Sequence, residues 1–99
     1  MTRYVLSADS LQDLDEIWEY IAADSVDAAD RWIATLFEAF ENLVRNPGIG
    51  HARPDLTDRP IRFWTVGAYL ILYRQQNAQI QIIAVAQGSR EIPLLLRRR

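Results

Sequence analysis

The sequence predicts an α+β protein: an N-terminal strand, then an antiparallel helical hairpin packed on one face of a mostly antiparallel sheet. Three observations lead there. Residues 8–44 hold two runs of apolar residues at helical spacing, parted by Asp24-Ser25. Residues 61–86 hold three β-prone runs with short polar or glycine-bearing links. The order strand, two helices, three strands is then satisfied by a helix layer covering one face of a sheet. A chain of 99 residues, 49% hydrophobic, makes one domain spanning residues 1–99 and one modest core, and it is too apolar to be disordered.

Residues 3–6 are β-prone and end at Ser7, which suits the N-cap of a first helix with Asp9 in its first turn. Leu11, Leu14, Ile17, Trp18 and Ile21 then form a stripe over about residues 8–23, with Asp13, Asp15, Glu16 and Glu19 on the other side. Ser25 caps a second helix whose stripe runs Ala29, Trp32, Ile33, Leu36, Phe37, Phe40, Leu43, Val44. This stripe reads as core, whereas Trp18 suits core or partner contact equally. Asn46-Pro47-Gly48 ends the helix, since proline removes a donor and biases its predecessor away from helix. Residues 47–60 are turn-rich. Strands follow at 61–66, 69–74 and 80–86, and the all-apolar 69–73 predicts a central strand covered on both faces. Phe63 and Trp64 are adjacent in a strand, so one of them faces away from the helices, where a partner is expected and an exposed Trp would serve as anchor.

The charge is polarised. Residues 1–50 hold ten acids and three arginines; residues 51–99 hold three acids and eight arginines. No lysine occurs anywhere. A basic half built only of arginine suits bidentate recognition of carboxylate or phosphate. The acidic helices would repel nucleic acid, so direct nucleic-acid binding by this chain alone is not expected. Without cysteine there is no disulfide, thiolate nucleophile or zinc–thiolate site, and no metal or cofactor is expected. No apolar run approaches the ~20 residues that span a bilayer, and the first residues do not form a signal peptide. A cytoplasmic protein without a membrane partner is expected.

Several segments, in order and spacing, carry a resemblance: Leu6-Ser7; Asp13-Leu14 to Tyr20-Ile21; Ala28-Ala29-Asp30-Arg31; the run from Pro47 through Gly50-His51-Ala52-Arg53-Pro54-Asp55-Leu56; Val66-Gly67-Ala68-Tyr69 through Tyr73-Arg74; and Gln87-Gly88-Ser89-Arg90-Glu91-Ile92-Pro93. Together they resemble the ParE/RelE superfamily of type II toxin–antitoxin toxins, and its ParE branch, the plasmid-stabilisation toxins. The resemblance implies a small cytoplasmic α+β toxin paired with a ParD-like antitoxin and poisoning DNA gyrase; RelE-type relatives instead cleave messenger RNA on the ribosome. It marks Gly50, Pro54, Asp55, Leu56, Gly67, Tyr69, Tyr73 and Gly88 as motif positions with structural roles.

The residues themselves weigh between these branches. Cleavage by a 2′-hydroxyl needs a base, an acid and charge stabilisation at the phosphate. The resemblance to RelE-type enzymes would place lysines on the active face and a Tyr or His–Tyr near the last strand; after Ala86 this chain has neither His nor Tyr. Arginine holds a phosphate but is a poor proton carrier near neutrality. His51 reads as a solvated loop residue, and Glu91 as an ion-pair partner of Arg90 or Arg74. No catalytic residue is therefore assigned. Arg53, Arg62, Trp64, Arg74, Arg90, Glu91 and Arg97 are the expected contacts with target or antitoxin. Arg53 could alternatively tie its loop to the sheet, and Asp55 could bond its own downstream backbone. The favoured reading is a gyrase-binding toxin. The alternatives are a ribosome-dependent endoribonuclease and a non-toxic module that only binds an antitoxin. An acidic, amphipathic antitoxin segment suits the basic half.

Overall fold

Ser7 is where the first strand becomes the first helix. In the computed structural model, which describes residues 3–88 together with Ile92 and Leu96, β1 spans Arg3–Leu6 and α1 spans Ala8–Ala22. The Ser7 hydroxyl accepts from the Ser10 N–H at 3.0 Å and satisfies one of the orphan donors of the first helical turn. A second serine cap, Ser25, accepts from the Ala28 N–H at 3.1 Å and starts α2, Val26–Arg45. Both caps fall where the sequence places them.

The remaining elements are β2 (His51–Ala52), β3 (Arg62–Val66), β4 (Tyr69–Gln76) and β5 (Gln79–Gln87). They join β1 in one sheet of order β1-β5-β4-β3-β2. Every pairing is antiparallel except β1 with β5, which is parallel because the helical hairpin carries the chain back across the sheet between them. β2 was not foreseen: two residues are too short to show a periodicity.

The helices cover one face. Leu14, Leu36, Phe40 and Leu43 pack against Ile71, Tyr73, Ile80 and Ile82, all but fully buried. Burying a side chain such as Phe40 contributes about 1.5–3 kcal/mol. Trp32 meets the edge of Tyr69 at a ring-centroid distance of 5.3 Å. Leu11, placed on the apolar stripe by its spacing, is instead 49% exposed. Asp13, grouped with the solvent-facing acids by the same reasoning, is 9% exposed and accepts the Val85 N–H at 2.9 Å.

The opposite face has its own cluster, and here the structure decides between Phe63 and Trp64. Phe63, not Trp64, faces away from the helices. With Ile61, Leu70, Leu72 and Ala84 it lies under Ile92 and Leu96 of the same chain. Trp64 packs on the helical side against the main core. The face expected to await a partner is covered at Phe63 by Ile92 and Leu96. Their cover also explains why β4 is apolar at every position from Tyr69 to Tyr73.

β4 and β5 run on into the expected five-residue link and leave only Asn77-Ala78 at the turn, at φ of 53° and 61°. Positive φ at both central residues is the hairpin turn whose twist matches the strands, and glycine is favoured at its second position. Ala78 therefore carries a Cβ where the backbone disfavours one. Ala78→Gly is expected to raise stability by about 0.5–1 kcal/mol, read as a higher denaturant midpoint at unchanged slope; a lower midpoint contradicts the strain.

Candidate functional site

The turn-rich loop after α2 is fixed by one phenol. Tyr73, fully buried at the end of the core, donates its hydroxyl to the Pro47 carbonyl and accepts the Gly50 N–H, both at 2.8 Å. Gly50 has no alternative there: a Cβ would lie 2.6 Å from the Tyr73 oxygen and 3.0 Å from the Phe63 carbonyl. Arg62, opposite Tyr73 in the β3–β4 register, completes the staple by donating Nη1 to the Gly50 carbonyl at 2.8 Å. Gly67 is held as strictly, with φ of +59° and the Trp32 ring 2.5 Å from where a Cβ would stand. Gly88, at φ +73°, gives its N–H to the Ala68 carbonyl and ties the end of β5 to that same turn. Leu56 tucks under the second cluster. Pro54 and Asp55 are exposed, with Tyr69 deep against Trp32.

The arginines are dispersed. Arg53 grips Asp55 with two parallel bonds, Nε to Oδ1 at 3.0 Å and Nη2 to Oδ2 at 2.8 Å. It therefore braces its own turn rather than tying the loop to the sheet. The bonds from Arg53 hold the Asp55 carboxyl below the usual carboxylate range. Arg62 lies on the helical side of the sheet, beside Tyr73. Arg74, one residue beyond Tyr73, lies on the opposite side because strand residues alternate. There Arg74 Nε meets Gln81 Oε1 at 2.7 Å across the β4–β5 pair. Arg90, Glu91 and Arg97 lie outside the described residues.

The structure adds Arg59, which the sequence reading passed over. Arg59 donates Nη1 to the Leu96 carbonyl at 3.1 Å and thereby anchors the segment that covers the second cluster. It shares with Arg74 an open groove of about 310 Å³, floored by Val5, Gln81 and Ile83 beside the covered patch. Only the wide sequence separation hid this pair. Two guanidinium groups at one groove can hold an anion, and neither exchanges protons near neutrality. The Ser7 hydroxyl at its rim already donates to the Ile83 carbonyl at 3.0 Å. Asp9, also at the rim, lies in the first turn of α1. Among the described residues no group of His, Cys, Asp and Glu is placed to hold a metal ion, and no helix is long and apolar enough to cross a membrane.

A helical hairpin on a small mixed sheet with an arginine-lined groove defines a compact α+β domain. The sequence pattern of the ParE toxin of type II parDE toxin–antitoxin systems matches residues 4–92, and the chain belongs to that family. Among solved structures, the chromosomal ParDE system of P. aeruginosa superposes with a TM-score of 0.71 at 21% identity, over 88% of this chain and 95% of that one. The RelBE2 toxin–antitoxin complex of Mycobacterium tuberculosis follows at 0.62 and 21% identity, over 90% and 91%. At such identity these likenesses establish a common fold. No curated protein matches the sequence directly.

The tyrosine staple makes stability sensitive to alkali. Burial raises the pKa of Tyr73, opposed by its bond from Gly50 and by the Arg62 charge. Burial also raises those of Tyr4, helped by Glu41, and of Tyr69, helped by Tyr20. A folded-state pKa above the unfolded value means that the neutral phenols favour the fold below about pH 10. That contribution is lost as pH climbs from there through the folded values. The unfolding midpoint is expected to fall over this range while phenolate absorbance lags that of free tyrosine. Tyr73→Phe leaves the buried Gly50 N–H without its partner, costs about 1–3 kcal/mol and flattens the alkaline limb. An unchanged midpoint contradicts the staple.

Proposed function

We propose that this ParE-type toxin acts by binding DNA gyrase in the cytoplasm and that a ParD-like antitoxin neutralises it. The observation that carries the reading is the chemistry of the groove: the paired guanidiniums of Arg59 and Arg74 can grip an acidic partner but cannot relay a proton. Its setting supports the same reading. Two arginines stand at the groove against one carboxylate, Asp9 at the start of α1, so the local charge favours a negatively charged protein segment. The proposed contacts are Arg74 with Arg59 in the groove, and Arg53, Arg62 and Trp64 toward the other edge. Arg90, Glu91 and Arg97 extend the set. The similar ParDE and RelBE2 structures are of a toxin–antitoxin system and a toxin–antitoxin complex, which supports an antitoxin partner here.

A supercoiling assay with purified gyrase tests the proposal. Inhibition is expected at micromolar toxin and is expected to weaken about tenfold in Arg74→Glu, equivalent to about 1.4 kcal/mol of binding, with the melting midpoint little changed because Arg74 is exposed. Full supercoiling in the presence of folded toxin overturns it. If codon-specific messenger cuts then appear on translating ribosomes, the endoribonuclease reading takes its place. If expression without antitoxin leaves growth intact, the non-toxic module does.

A further inference from the structure

β5 is longer than the strand beside it. It runs nine residues, from Gln79 to Gln87, while β1 flanks only the stretch up to Ile82. Beyond that point its outer edge lies under α1. Ser7 covers the Ile83 carbonyl and Asp13 covers the Val85 N–H. Because Val85 directs its N–H away from β4, its carbonyl and both backbone groups of Gln87, two residues on, have the same direction. Gly88 is of the other parity, and its N–H indeed reaches Ala68. Among the described residues no hydrogen bond meets the Val85 carbonyl or the N–H and carbonyl of Gln87.

This bare edge opens into a cleft of about 370 Å³ between α1 and the ends of β4 and β5. Asp13, Glu16 and Tyr20 form the helical wall, and Tyr69 and Gln87 stand across it. Glu16 is exposed, and its carboxylate accepts from the Gln12 amide at 3.2 Å. Tyr20 is 68% exposed, a large aromatic surface left open. α1 carries five acids and no basic residue.

We propose that the cleft receives an extended peptide segment of a protein partner, paired with β5 through Val85 and Gln87 and carrying an arginine or lysine directed at Glu16. The three bare groups sit at the spacing that an added strand satisfies and a compact small molecule does not. The acids of α1 select the charge: an acidic segment would be repelled, whereas a cation also gains from the faces of Tyr20 and Tyr69. The site takes the opposite charge from the arginine groove and does not depend on gyrase being the target. A partner chain binding both places would carry an acidic segment for one and a basic strand for the other.

Hydrogen exchange read by NMR tests this with two short synthetic peptides alternating threonine and valine, one with a central arginine and one with a central glutamate. The arginine peptide is expected to slow exchange of the Gln87 amide, and the glutamate peptide to leave it unchanged. Glu16→Gln, on an exposed position, is expected to weaken the arginine peptide about fivefold, the size of one surface charge pair. Three results would each overturn the assignment: no protection by the arginine peptide, equal protection by both, or protection that grows with protein concentration alone, which would assign the edge to a second copy of the chain.

Discussion

The molecule depends on how α1 is fastened to the edge of β5. A helix following an edge strand must leave the sheet, and the abandoned neighbour then exposes backbone groups that cost free energy if buried without partners. Ser7 and Asp13 resolve this together. Ser7 gives its N–H to the Ile82 carbonyl and its hydroxyl to Ile83 while capping α1. Asp13, nearly two turns on, takes the Val85 N–H. The fastening fixes the tilt of α1 over the sheet, and α1 in turn fixes α2, joined to it by a tight link and by the Trp18 Nε1 bond to Asp30 at 2.8 Å. The core of Leu36, Phe40 and Leu43 on Ile71 and Ile82 follows from that placement.

A sheet with both faces covered divides the surface by charge. The helices bring the acids of the first half to one side. The alternation of β3 and β4 sends Arg62 to the helical side, where it serves the Tyr73 staple, and Arg74 to the other, where it joins Arg59. The basic half is thereby split between the two faces, and Arg53 and Arg62 also hold loops. The same architecture leaves the end of β5 open beside the acidic helix, so two regions of opposite charge flank one small domain.

Much of this was legible in the sequence because local signals agreed. Ser7 and Ser25 sit at true N-caps, the α2 stripe is core, and Gly67 marks a backbone that no side chain tolerates. The misses share a cause: they turn on contacts between residues far apart in the chain. Helical spacing placed Asp13 among solvated acids, since no local pattern reports that a strand N–H waits beneath it. Alternation correctly separated Phe63 from Trp64 but could not say which face each took, because Leu96 is brought over Phe63 through a bond to Arg59. Arg53 looked able to reach the sheet, yet Asp55, two residues away, is the nearer partner. Asn77-Ala78 carries no glycine, so the tight turn was read as a longer link.

The claim on which the rest stands is that Asp13 replaces the missing strand at Val85. Native-state hydrogen exchange of the Val85 amide in the wild type, Asp13→Asn and Asp13→Ala measures it directly. Slow exchange is predicted in the wild type and in Asp13→Asn, which keeps an acceptor oxygen. Asp13→Ala is predicted to exchange faster, with a global loss of about 1–3 kcal/mol from an unpartnered buried donor. A Val85 amide equally protected in all three would contradict the account.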